Sequence, residues 1–426
     1  MTYVERPTTF PLAGPAAWPA CSPPAWRRFI QPPGSPSIVW SADFAAGLYS
    51  RGGAPATLSE MVDCVRPSDA IMQGADGVHH VFAANEPPIL PGAGLDIWGE
   101  LSSLVRNGNN LAAAGWSAAM GITANDLGTT ALGIFREVEL VGGGSLGARR
   151  VQNIALSSGI PVFVSFFYKA GSSGRLRAQI LGSGADNLVL RGIVGGIAVS
   201  AISGGTLSDL VNTDFGGGIY HCSCLWTPEN PGVGVGVGIG PDSGVADATV
   251  VALGLDVVSA LTPVPWISNT TPAPTRLGTD LTIPGFSSLV SEYGLQAGFR
   301  SRDVIHLTRL SSPVHRCLWS RGTDAENCVT LELRTDDRLR LTVRNGGMDA
   351  LILETAEGFN DSGVKTINAV CRTGNWSIEA AGLPSAHSAA PATIPALAEA
   401  HIGRTLDAPD NYLSGVILAS EVERIS

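Results

Sequence analysis

The stretch PVPWISNTTPAPTRLGTDLTIPGF, Pro263 to Phe286, divides this chain in two. Its four prolines before Leu281, with Asn269, Thr270 and Thr271 among them, cannot propagate a helix or sit in a central strand, because proline lacks the N–H such ladders need. A strongly apolar run, Ala248 to Leu261, precedes it and a new series of alternating segments follows. A Pro/Thr-rich stretch between two patterned regions reads as an extended, semi-rigid crossing.

On its N-terminal side the pattern is a succession of short strands. Gly133–Leu140, Ala148–Leu156, Pro161–Ala170, Arg175–Leu181, Asn187–Val194, Ile197–Ile202, Gly218–Trp226, Gly232–Gly240 and Ala248–Val258 are bounded by Gly, Ser, Asn or Asp. A spacing of about ten residues with turn chemistry between the runs indicates a sandwich or jelly roll. In Gly232–Gly240 (GVGVGVGIG), period 2 puts Val233, Val235, Val237 and Ile239 on one face and only glycines on the other. The branched face fills a core; the bare face lies under a closely approaching backbone or forms a shallow floor open to a ligand. No Gly-Lys-Ser/Thr follows, so it is not a phosphate loop. Cys222 and Cys224 share one strand face and read as small buried hydrophobes, with His221 facing the other way.

Beyond the crossing the strand-rich style returns. Cys328–Arg334, a Thr335-Asp336-Asp337 turn and Arg338–Arg344 form a hairpin, the last strand alternating Leu339, Leu341 and Val343 inward with Arg338, Arg340, Thr342 and Arg344 outward. Lys365–Cys371 and Trp376–Ala381 form another, and Tyr412–Val422 closes the region.

Two segments lie further out. Residues 1–38 carry prolines every few positions and form an extended arm with Trp18, Trp26 and Phe29 spaced along it. The arm is either a disordered tail with incidental aromatics or a strap docking them on a neighbouring subunit. Residues 39–110 form a small mixed lead segment: Trp40, Phe44 and Tyr49 in one apolar set, a helix over 57–65 opened by a Thr57/Glu60 capping box, and an Asp76-Gly77 hairpin across 69–84. His79 and His80, adjacent on a strand, cannot share one metal.

The 426 residues are 44% hydrophobic but only 15% charged, with 52 Gly and 28 Pro. Few charges and many short patterned runs describe an all-β protein. A net charge of −10 argues against nucleic acid as a partner. No stretch is apolar and long enough for a membrane helix, and Glu5, Arg6 and the early prolines do not form a secretion signal. Seven scattered cysteines without a CxxC pair fit a protein made in a reducing cytoplasm and supply no metal site.

The order of motifs resembles minor structural proteins of tailed bacteriophages and related gene-transfer particles. The resemblance rests on Phe44 to Tyr49, Asp76-Gly77 followed by Ala84-Asn85-Glu86-Pro87, Gly94-Leu95 leading to Arg106–Leu111, Trp116, Phe166–Gly171, and Trp266–Asn269 with Thr275–Asp280. The region after the crossing is similar to concanavalin-A/laminin-G-like jelly rolls at Leu318-Trp319-Ser320, Leu339–Val343, Ile402-Gly403-Arg404 and Tyr412–Gly415. Trp98–Leu104 departs from the family's usual Glu-x-x-Arg-Thr-Asn-Leu, and the arm has no counterpart in it. The resemblance marks Trp266 and Thr275–Asp280 as a module end. It implies an ordered seam over 263–285, Trp266 packed on the first sandwich and an Arg276–Asp280 pair.

The expected architecture is two tandem β-sandwich (jelly-roll) domains, 111–262 and 286–426, after the arm and the lead segment. Glycosidic cleavage needs two carboxylates across the scissile bond; Glu137/Glu139, Glu332 with Asp336, and Glu421/Glu423 read better as solvated strand faces, and no Gly-x-Ser-x-Gly is present. The resemblance implies a non-enzymatic virion fibre or spike, made in the bacterial cytoplasm, without cofactor. The arm, through Trp18, Trp26 and Phe29, attaches to capsid or tail proteins. The sandwiches, as a homo-oligomer, bind host surface polysaccharide. Saccharide recognition on such folds uses exposed aromatics with Asp/Asn beside them, which nominates Trp319, Trp376 and Tyr412 with Asp407, Asp410 and Asn411; the last three acidic and amide groups also suit a Ca²⁺ ion. The alternatives are a purely structural decoration or collar protein and, more weakly, a polysaccharide depolymerase.

Overall fold

A computed structural model describes residues 37–425, apart from 74–77, 91, 100, 131–132, 261–262, 268–274, 277, 308–309, 311, 313 and 407–411. The chain is nearly all β and divides into two compact units. Among the described residues, one unit takes 70–81 and 101–276, and the other takes 37–69, 82–100 and 278–425.

The first unit is a sandwich of two six-stranded antiparallel sheets. One sheet runs in the order Ser117–Ala119, Arg149–Ile154, Val235–Pro241, Arg175–Leu181, Asn187–Ile193, Val199–Ser203. The other runs Thr123–Thr129, Arg136–Gly143, Ala246–Ser259, Val162–Ala170, Ile219–Thr227, Thr206–Gly216. Alternation decides which side chains meet. Leu176, Ala178, Ile180, Leu188, Leu190, Val235, Val237 and Ile239 from the first sheet share a core with Val164, Phe166, Tyr168, Cys222, Cys224 and Trp226 from the second. Val233 is the exception to the period-2 reading: Gly232 and Gly234 take positive φ, the strand starts only at Val235, and Val233 is 81% exposed. The outer face of the second sheet carries an aromatic cluster of Ile71, Phe135, Phe167, Ile219, Leu253 and Trp266.

The second unit packs a ten-stranded sheet and a seven-stranded sheet around one core. In the larger sheet Gly415–Arg424 pairs with Phe299–Leu307, with Ile38–Asp43 and with Gly94–Ile97. The lead segment therefore supplies strands to this sandwich, and Ala70–Gln73 with His79–Phe82 forms a separate two-stranded pairing. Thr57 and Glu60 make the expected capping box, but the helix covers only Leu58–Met61, because Asp63–Val65 leaves it to pair with Asp280–Thr282. A helix over Phe286–Tyr293 replaces the expected strand style. Gly285 and Gly294 bracket it in the left-handed region, and Phe286, Leu289 and Val290 bury one face.

The seam is built into both units. Thr275–Arg276 pairs with Leu101–Ser102, and Asp280–Thr282 pairs with Glu399–Ile402. Trp266 is 6% exposed, with its ring 4.8 Å from Phe135 and 5.7 Å from Phe167. Gly254 makes that packing possible, since a Cβ there would lie 2.9 Å from the Trp266 ring. Asp256 holds the neighbouring residue by accepting from the Ile267 N–H at 3.3 Å. Asp280 pairs with His401 Nδ1 at 2.8 Å and with Arg404.

Candidate functional site

The aromatic residues nominated for sugar stacking belong to the core of the second unit. Trp319 is 2% exposed; its Nε1 donates to Asp303 Oδ2 at 3.0 Å, and the Arg321 guanidinium lies 4.2 Å from its ring centre. Trp376 is fully buried and donates to the Ala390 carbonyl at 3.2 Å. A ring buried on both faces offers no platform to a sugar, and this corrects the expectation for both tryptophans. Tyr412 is buried too, packed where a Cβ at Gly278 or Gly99 would strike its ring. Asp407, Asp410, Asn411, Trp18, Trp26 and Phe29 lie outside the described residues.

The open, chemically distinctive surface is the outer face of the glycine-bearing sheet in the first unit. Registers across its strands place side chains in rows. One row runs Gly240, Arg177, Arg191, Val199, with Arg149 next to the Arg150 that pairs with Ile239. The next runs Val151, Gly238, Gln179, Val189, Ala201, and a third runs Asn153, Gly236, Leu181, Asn187, Ser203. Val151, Gln179 and Val189 are half-buried and Ala201 is exposed, so this face meets solvent.

The three glycines of this face have three different neighbours. A Cβ at Gly240 would sit 2.4 Å from the Ala148 carbonyl oxygen, so backbone approaches there. One at Gly238 would meet the Arg149 side chain at 2.4 Å, while one at Gly236 has nothing closer than 3.8 Å. The approaching backbone expected from the sequence is found at Gly240, and of the three glycines only Gly236 is left uncovered.

The electrostatics are lopsided. The six strands of this sheet contain five arginines and no aspartate or glutamate, in a chain of net charge −10. Arg177 and Arg191 are direct cross-strand partners. Asp242, just past the Val235–Pro241 strand, accepts from Arg191 Nε at 3.0 Å and lies 4.0 Å from Arg177 Nη1. Arg177 is 7% exposed, and its Nη2 is buried without a hydrogen-bond partner among the described residues. Burial pushes its guanidinium pKa down, opposed by Asp242 and reinforced by Arg149 and Arg191. Sequence reading missed this cluster. The available signal was the acid-free, arginine-bearing composition of these strands, with Arg175 and Arg177 at period-2 spacing.

The carboxylates weighed for sugar chemistry are engaged elsewhere. Glu137 pairs with Lys169 at 2.5 Å, Glu421 with Arg302 at 2.9 Å, and Glu423 with Arg300 at 2.8 Å. Glu332 lies 3.7 Å from Arg340, and Asp336 pairs with Arg338 at 2.8 Å. Cys222 and Cys224 are buried, with burial raising both thiols, and His221 stacks on Phe167 at 4.4 Å on the opposite face. Among the described residues no group of His, Cys, Asp and Glu is arranged to hold a metal ion.

No protein-family model and no curated protein matches this chain. Solved structures similar to it include the CBM40 of a Ruminococcus gnavus IT-sialidase, at 13% identity over 32% of this chain and 83% of that one, with a TM-score of 0.27. Domains LG4-5 of the mouse laminin alpha1 chain match at 10% identity over 67% and 89%, TM-score 0.25. The CBM22-1-CBM22-2 tandem domain of Paenibacillus barcinonensis Xyn10C matches at 10% over 78% and 98%, TM-score 0.28. Scores of this size leave the β-sandwich assignment resting on the strand pairing itself.

Proposed function

We propose that this chain is a non-enzymatic surface protein of a virus particle that binds host-surface polysaccharide through the arginine-bearing outer face of its first sandwich. The observation that carries the binding part is that open face: half-buried Gly236, Val151 and Val189 set beside arginine, glutamine and asparagine donors. Hydroxyl-rich ligands need such donors, and their ring faces need apolar surface beside them. The non-enzymatic part draws support from the arginine and lysine partners of Glu137, Glu332, Asp336, Glu421 and Glu423. The particle location is supported by the motif order alone.

The test uses the full chain, because strands Ile38–Asp43 and Gly94–Ile97 complete the second unit's larger sheet and a 284–426 fragment would lose them. The expected result is retention on host-surface polysaccharide and co-purification with particles. A chain that binds no surface polysaccharide sinks the adhesion reading. A second reading, a decoration protein cementing neighbouring subunits, is favoured by one observation. The edge strand Met348–Glu354 presents Met348 at 74% and Ile352 at 52% exposure, an apolar edge suited to pairing with another chain.

A further inference from the structure

We propose that the arginine row on this face binds the oxyanions, carboxylate or sulfate ester, of an acidic polysaccharide. For the polymer this rests on the glycan-binding reading above; for the anion it rests on charge geometry alone. Strand alternation puts Arg149, Arg175, Arg177 and Arg191 on one face, and Asp242 is the carboxylate that the structure pairs with Arg177 and Arg191. Like charges directly opposite each other on neighbouring strands are destabilising, and Arg177 and Arg191 stand in that relation. A single carboxylate shared between them, 4.0 Å from one and 3.0 Å from the other, leaves net positive charge at a site where solvent screening is weak.

The geometry divides the work. Arg177 is the buried charge of the row. Arg149 and Arg191 are half-buried and hold donors at the surface: Arg149 spends Nη1 on the Gly147 carbonyl at 2.9 Å, and Arg191 spends Nε on Asp242. Their remaining N–H groups suit a carboxylate or sulfate, for which the planar guanidinium fork is matched. The missing side chain at Gly236 lets the polymer lie close to these donors, Arg149 itself lies over Gly238, and Gln179 and Val189 beside it take the sugar ring next to the charged group. A sheet face so free of acids, within an acidic chain, attracts the anionic polymer to this face and repels it from the rest.

The test measures binding of the full chain to polygalacturonate and its methyl ester, and to dextran sulfate and plain dextran. The charged member of at least one pair is expected to bind, more weakly as salt rises, and which pair responds separates carboxylate from sulfate. Arg149→Gln and Arg191→Gln should each weaken binding about tenfold. Arg338→Gln, the same charge change on the second unit, should leave it unaltered, and unchanged melting temperatures establish that the variants fold. Equal binding of charged and neutral partners, insensitive to Arg149→Gln and Arg191→Gln, overturns the anion inference while the glycan reading stands. Arginine-dependent thermal stabilisation by inorganic sulfate without binding of any polysaccharide keeps the anion site and removes the polymer. Tighter retention of single-stranded DNA than of either acidic polymer overturns the polysaccharide assignment.

Discussion

Trp319 shows how far a single residue can be read before its neighbours are known. On a strand its ring points to one face or the other, and only the tertiary structure sets it against Asp303 and under Arg321 in the core. Asp303 accepts from Trp319 Nε1 at 3.0 Å, Ser301 Oγ at 3.0 Å and Ser420 Oγ at 2.6 Å, and Arg321 Nη2 donates to the same Ser301 at 3.1 Å. Burial raises the Asp303 carboxyl above its usual range, and burial lowers Arg321 to about 10. Removing one member leaves buried donors and a buried charge without their acceptor. Asp303→Ala should therefore cost about 3–5 kcal/mol in a denaturant titration. The double variant Asp303→Asn/Arg321→Met should cost less than Asp303→Ala alone, since no uncompensated charge remains. A double variant at least as unstable as the single one would show that the cluster is not coupled.

At the scale of the element, the strand Val235–Pro241 carries both core and surface roles at period 2. Its branched residues were legible as core from the sequence, because alternation is a local property of a strand. What each glycine faces was not legible, because that depends on a neighbour such as Ala148 or Arg149 brought in from 90 residues away in the chain. The glycines should respond differently to substitution. Gly240→Ala forces a Cβ onto the Ala148 carbonyl oxygen and is expected to cost about 1–3 kcal/mol. Gly236→Ala makes only ordinary van der Waals contact, 3.8 Å from the Leu181 carbonyl oxygen, and should be neutral or stabilising by up to about 1 kcal/mol, since alanine restricts the unfolded chain. Urea melts of the two variants check the order, and the reverse ranking would refute the placement of this strand.

For the whole molecule, acid sensitivity follows from histidines kept neutral in the first unit. His79 is 7% exposed against Phe135 and Phe167, and burial, with His221 and His80 nearby, lowers it from 6.5 to about 3; burial lowers half-buried His221 to about 4. Above pH 6.5 neither the folded nor the unfolded chain protonates these rings, so stability is at its full value. As pH falls below 6.5 the unfolded chain takes up protons that the folded chain refuses, and stability is lost down to about pH 4 and pH 3. The slope approaches about 1.4 kcal/mol per pH unit for each ring. Melting curves from pH 7 to pH 4.5 should show His79→Phe gaining on the parent protein as pH drops, and a constant difference would remove His79 from this role. The motif resemblance implied that Trp266 packs on the first sandwich. Period-2 alternation, turn residues and the proline-rich seam determined from sequence alone that this is an all-β chain with two sandwiches and that Cys222 and Cys224 are buried. These are local patterns, or consequences of one side chain needing burial. The sharing of the lead segment's strands, the core placement of Trp319 and Trp376, and the assembly of Arg149, Arg177, Arg191 and Asp242 were decided only by tertiary structure. Each depends on strand order and register, which pair segments tens to hundreds of residues apart, and no local pattern encodes which partner a strand will find.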